Sequence, residues 1–313
     1  MKITYLLGAG ASFNALPLIK RHSIEKPGLS EDLMKFVNSN KYLINHNNAH
    51  GVFESLIKIV KQCIQFGTPD LYSKLLLETG DDSTYEILKR LLSLYFQHKQ
   101  TVDECFDERA LAFLTTIVTG KKLPETIRIL TWNYDSQIEI AAEKLKPIKP
   151  SGYPRIQNFT SWPNVEGDEG GYQPFLFHLN GVAGFNYSKS ILAEKIDKPF
   201  DFGKTFPNEV LMSFAWENEN SGSMQMFHEK RLSLARGIAQ GTEILVIIGY
   251  SFPFFNREID KEIFKAMKGS LAKIYFQDPA NDGSNLKSQF EIAQRLEIVH
   301  IKQTDQYHIP YEL

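Results

Sequence analysis

Cysteine is almost absent from this chain: Cys63 and Cys105 are the only two in 313 residues, and no Cys-x-x-Cys pair occurs. Two cysteines cannot supply a four-cysteine zinc site, and they give no disulfide framework. Long apolar runs are missing too. None approaches the roughly 18 residues that a membrane-spanning helix needs, and the chain begins in a strand-like segment rather than a charged, apolar, cleavable leader. The expectation is a cytoplasmic protein. No charge of one sign dominates, since 35 basic residues face 37 acidic ones for a net charge of -2. Direct nucleic-acid binding and a membrane surface are therefore not expected, because no global field draws the chain to either. Two nucleotide signatures are also lacking. GxGxxG would place its third glycine at position 13, where Phe13 stands, and the Walker pattern GxxxxGK[ST] does not occur.

What is present is the composition of an ordinary globular protein, 42% hydrophobic and 23% charged. The length suits one large α/β domain, or one that carries a sizeable insertion. The chain opens on the β-favouring run Lys2-Ile3-Thr4-Tyr5-Leu6-Leu7, followed by Gly8-Ala9-Gly10-Ala11-Ser12. Closely spaced glycines after a strand let backbone approach a phosphate, and the N–H groups of the turn can receive the anion. The competing reading is a tight strand-to-helix turn without a ligand.

Residues 30–119 carry helical periodicity in several stretches: Glu31 to Val37, then Val52 to Ile64, then Tyr85 to Tyr95, then Ala110 to Val118. They read as an all-helical insertion between the first and second strands. The sheet resumes at Thr126 and delivers Thr131-Trp132-Asn133-Tyr134-Asp135 to a strand end, where open α/β sheets bind ligands. Ser136 with Glu139 three positions on predicts a capping box for the next helix. Asn133 and Asp135 taken alone also suit residues that satisfy that helix's first N–H groups.

Residues 147–174 are rich in proline and glycine and predict a long loop bordering the site. Pro174 to Phe177 then predicts a short buried strand ending in His178-Leu179-Asn180-Gly181. Trp216 reads as a packing residue, and Met226 to Gln240 as a helix. Glu243 to Ile248 is the most apolar strand in the chain and ends in Gly249-Tyr250-Ser251-Phe252. A helix is expected to start at Asn256. A strand over 272–276 ends in Gln277-Asp278-Pro279, where a carboxylate can meet ribose hydroxyls or simply close a turn. A helix over 284–295 and a strand over 298–301 complete a doubly wound, mainly parallel, Rossmann-like sheet.

Five strand ends thus carry Gly8, Gly10 and Ser12; Asn133 and Asp135; His178; Gly249 and Ser251; and Asp278. In such a sheet these ends line one edge. Together they resemble the sirtuin-type catalytic domain. GAGAS at 8–12 with Pro17 resembles the family's phosphate turn, and TWNYD at 131–135 resembles its T-Q-N-I-D segment. His178 with Gly181 resembles its catalytic H-G, and GYSF at 249–252 its G-T/S-S-L turn. The family's D-F-R after the phosphate turn is missing, and so is the cysteine set of its zinc module. These departures resemble the sirtuin-like domains of bacterial antiphage systems, which hydrolyse NAD+ instead of deacylating lysine.

The resemblance implies NAD+ as substrate, with no zinc. Gly8, Ala9, Gly10, Ser12, Thr131, Gly249 and Ser251 would lie along the nucleotide, Asp278 by the adenine ribose and Asp135 by the nicotinamide half. Asn133 would orient a water or a ribose hydroxyl, and His178 would be the general base. It also implies a homo-oligomer, silent until switched on by a phage trigger or a separate partner such as an ATPase or sensor encoded nearby. Three other readings stand beside it: a non-catalytic module that binds NAD+ or ADP-ribose and gates a partner, a zinc-free lysine deacylase, and an ordinary dehydrogenase. The absent third glycine speaks against the last.

Overall fold

The computed structural model describes residues 1–20, 27–44, 50–145, 156, 158–162, 173–184, 210–217, 222–293 and 295–313, and only the backbone of 43, 44, 50 and 222–229. Its centre is a seven-stranded sheet of β1 (Ile3–Leu7), β2 (Ile127–Thr131), β3 (Ser161–Trp162), β4 (Leu176–His178), β5 (Ile244–Ile248), β6 (Lys273–Gln277) and β7 (Glu297–Ile301). The order across the sheet is β3-β4-β2-β1-β5-β6-β7, and every pairing is parallel. β1 and β5 are buried at every position. Strands covered on both faces need continuous apolar runs, and ITYLL and ILVII supply them. The chain leaves β1 toward β2 and β4, then returns to β5 on the other side. The order therefore reverses at β1, the place where such sheets bind ligands at the carboxyl ends of their strands.

The helices fall into three groups. α8 (Gly222–Ala239), α9 (Arg257–Met267) and α10 (Leu286–Gln289) cover one face, packing on Leu6, Leu130, Leu245, Ile247 and Phe276. α6 (Glu108–Ile117) and α7 (Gln137–Lys144) cover the other, over Ile3, Tyr5, Ile127, Ile129 and Val246. α1 (Leu29–Ser39), α2 (Lys41–Ile44), α3 (His50–Gln65), α4 (Pro69–Thr79) and α5 (Asp82–Thr101) precede α6. α1, α3, α4 and α5 share a core of their own, built on Leu33, Leu56, Leu76, Leu88 and Leu92. That core takes in no strand residue; it is joined instead by Tyr134, Ala183, Met212 and Phe214, from the segments after β2 and β4. This places the helical group beside the carboxyl end of the sheet.

Several sequence expectations are refined. α6 falls within the helical span 30–119 yet belongs to the sheet layer, with Phe113 packed edge-on against Tyr5 at 4.8 Å. Periodicity shows that a helix has an apolar face and not what covers it. α4 was not anticipated, because Leu71 and Leu75 stay exposed and blur its stripe. Its ends are nonetheless well signalled: Thr68 caps the Leu71 N–H, Pro69 opens the helix and Gly80 closes it at φ +72. The loop expected over 147–174 contains the edge strand β3, and most of its remaining residues lie outside the described ones. The helix expected over 284–295 shrinks to the four residues of α10.

Candidate functional site

Three adjacent strand ends bring Ser12, Asn133, Asp135 and His178 together. Asn133 is set by its own strand: its N–H donates to Thr131 Oγ1 at 3.1 Å, and its side chain Nδ2 donates to Ser12 Oγ at 3.1 Å. The Ser12 hydroxyl also supports the Asp135 carboxylate, and the Gln137 N–H donates to Asp135 Oδ1 at 3.2 Å. All four residues are buried. Burial pushes the Asp135 carboxyl up to about 6, and those hydrogen bonds only partly offset it.

His178 lies at the end of β4, with both ring nitrogens engaged. Nδ1 is 3.1 Å from the Asn133 carbonyl oxygen and Nε2 is 2.8 Å from Glu139 Oε1. Burial acts to lower its pKa, but the Glu139 carboxylate, the Asn133 carbonyl and Asp135 together raise it above the usual histidine value. Glu139 is therefore not half of a capping box. Ser136 makes no side-chain cap, and the first turn of α7 is satisfied by Asp135 instead. The second oxygen of Glu139, Oε2, is buried without a partner among the described residues.

On the other side of β1, the construction changes from side chain to backbone. The Gly8 N–H donates to the Ile248 carbonyl at 3.0 Å, and the Gly10 N–H donates to the Gly249 carbonyl at 3.0 Å. A Cβ at Gly8 would lie 2.6 Å from the Gly249 oxygen, and one at Gly10 would lie 2.7 Å from Gly249 Cα. Gly249 itself sits at φ +57 against the Gly10 backbone. Close contact between two turns therefore already requires these glycines. The Ala11 N–H is likewise bonded within the turn, to Gly8.

Two buried networks hold these turns, and neither was expected from the sequence. Arg109 on α6 pairs with the fully buried Asp107 and donates to the carbonyls of Gly10 and Ala11 at 3.3 and 3.0 Å. Tyr307 adds a hydroxyl to the Ala11 carbonyl at 2.7 Å. The second network centres on Asp260 of α9. It accepts from Trp132 Nε1 at 3.1 Å and from the Tyr250 hydroxyl at 2.7 Å, tying the β2 end to the β5 turn. Burial pushes its carboxyl up to about 8. Asn256, expected as a helix cap, makes no cap bond and donates to the Tyr250 hydroxyl instead.

The remaining expected residues sit farther out. Ser251 is exposed. Asp278 follows β6, two strands from β1, and its Oδ1 accepts from the N–H groups of Ala280 and Asn281, closing a turn. Trp216 packs, stacked on Phe214 at 4.9 Å. Among the described residues no group of His, Cys, Asp and Glu is arranged to hold a metal ion, and no helix is long and apolar enough to cross a membrane. No protein-family model matches the chain, and no curated protein matches it significantly.

Proposed function

We propose that this chain is a sirtuin-type NAD+ glycohydrolase with a helical insertion, releasing nicotinamide and ADP-ribose. The observation that carries the reading is the joined polar group of Ser12, Asn133, Asp135 and His178 at three neighbouring strand ends. Nicotinamide leaves the C1′ carbon as a neutral ring, so the reaction asks little acid help. It needs a held ribose, an oriented water and a proton acceptor. Asn133 is the orienting group and His178 the acceptor, a histidine being suited to that task near neutral pH. Gly8, Ala9, Gly10, Ser12, Thr131, Gly249 and Ser251 contact the nucleotide, Asp135 the nicotinamide half and Asp278 the adenine ribose. The enzyme works in antiphage defence as a homo-oligomer switched on by a trigger or partner, since uncontrolled loss of NAD+ would harm the cell that makes it.

The test is nicotinamide release from NAD+ by the purified protein at low and high concentration, beside Asn133→Ala and His178→Ala. Release by the parent alone supports the reading; equal release by both variants overturns the residue roles. One observation favours a second reading, a non-catalytic NAD+ or ADP-ribose module that gates a partner: both His178 nitrogens are occupied and the ring is buried. Tight nucleotide binding with no release under any trigger would select it.

A further inference from the structure

The contacts of His178 define a proton inventory. A backbone carbonyl can only accept, so the ring nitrogen 3.1 Å from the Asn133 oxygen carries hydrogen. An ionised carboxylate can only accept as well, so with Glu139 charged the nitrogen 2.8 Å from its Oε1 carries hydrogen too. With Glu139 ionised, the two contacts together suit the doubly protonated imidazolium, the state that follows proton capture rather than the one that precedes it.

From this we infer that Glu139 is a positioning residue for the proposed reaction: it fixes the neutral His178 ring with hydrogen on Nε2, which leaves Nδ1 as the proton-accepting atom beside Asn133. The inference rests on the glycohydrolase reading. In the reactive state Nδ1 bears a lone pair and the Nε2–H donates to Glu139. Water oxygen bonds to C1′ as the C1′–N bond breaks, and that bond's electron pair neutralises the nicotinamide ring. The proton lost by water goes to Nδ1, and the new Nδ1–H closes on the Asn133 carbonyl. Glu139 then faces a cation instead of a neutral ring, so its charge favours the captured proton, as the buried carboxylate of a Ser-His-Asp triad does.

The charged groups facing His178 are Glu139 from α7 and Asp135 from the turn after β2. Removing the nearer charge by Glu139→Gln keeps an oxygen acceptor and loses the stabilisation of the imidazolium.

The experiment is nitrogen-15 histidine NMR of the full chain, with His178→Asn to assign the ring signals, across a pH series. Expected in the parent above its midpoint is the tautomer with hydrogen on Nε2. In Glu139→Gln the His178 midpoint falls by about 1 to 3 pH units, the size of a nearby opposite charge. The Nδ1–H tautomer in the parent, or an unmoved midpoint in the variant, overturns the proposal. The parent spectrum alone decides the tautomer should Glu139→Gln fail to fold. These readouts need no turnover, so an absence of nicotinamide release under any trigger would count against the glycohydrolase reading and leave the role of Glu139 separately judged. Where release is seen, the alkaline rise of its pH profile moves down with the NMR midpoint.

Discussion

The two sides of the β1 end are built from different materials. Toward β2 and β4, polar side chains meet one another: Ser12, Asn133, Asp135, His178 and Glu139. Toward β5, Gly8 and Gly10 meet Gly249 with no side chain between them. Side chains tolerate substitution by changing what they bond. Backbone against backbone has no slack, because the neighbour that must move is itself part of a strand connection. The first side is therefore the adaptable one, and the second fixes position.

Arg109 supports the turn that both sides share, so its loss tests the shared base. Arg109→Met leaves Asp107 buried without its ion partner and is expected to cost about 3–5 kcal/mol, read by urea denaturation. The backbone side alone is broken by Gly249→Ala. A side chain there meets the Gly10 backbone at positive φ, and a loss of about 3 kcal/mol is expected in the same assay. Asn133→Ala breaks the side-chain side. Nicotinamide release should fall about 100-fold or more, with a smaller change in melting temperature; the reverse pattern would make Asn133 a structural residue.

The link between the two sides is Asp260, and it carries a pH signature. Its carboxyl is raised, so the folded state holds this proton more tightly than the unfolded chain does. The resulting stabilisation is complete below the ordinary carboxyl value near 3.8 and is lost as pH rises to about 8. His178, also raised, acts in the same sense, with its contribution complete below about 6.5 and lost as pH rises through the folded value. Asp260→Asn should flatten the decline in stability measured between about pH 5 and 8, by up to about 1.4 kcal/mol per pH unit. The smallest effect belongs to Ser251→Ala. Its exposed side chain predicts a stability change within about 0.5 kcal/mol, while weaker NAD+ binding would sharpen its assigned place beside the nucleotide.

The parallel sheet was legible because strands buried on both faces must be continuously apolar, as ITYLL and ILVII are. The strand-end residues were legible because small and polar residues directly after such runs are conspicuous. Glu139 was not, since three positions after Ser136 it satisfies a local capping rule, and only the neighbouring strand shows that it serves His178 instead. Asp260 was hidden for a similar reason. It lies in the first turn of α9, where an acid already suits the helix N-terminus, and its partners Trp132 and Tyr250 come from two other connections. Arg109, two positions after its partner Asp107, looks like an ordinary helix-start charge until the glycine turn is placed above it.

The position of β1 has a consequence for the order of events during synthesis. Ile3 pairs with Ile127 on one side and with Ile244 on the other. The turn that follows is fastened by Tyr307. Of the described strands β1 is made first, yet it gains its second neighbour only once β5 is complete at Ile248, so its apolar surface waits while two helical layers and three strands are read. Contacts this distant in sequence close slowly and leave sticky segments open to other chains. The same delay keeps the glycine turn unfastened until residue 307 has emerged, so a nascent chain that stops short of it lacks a finished site.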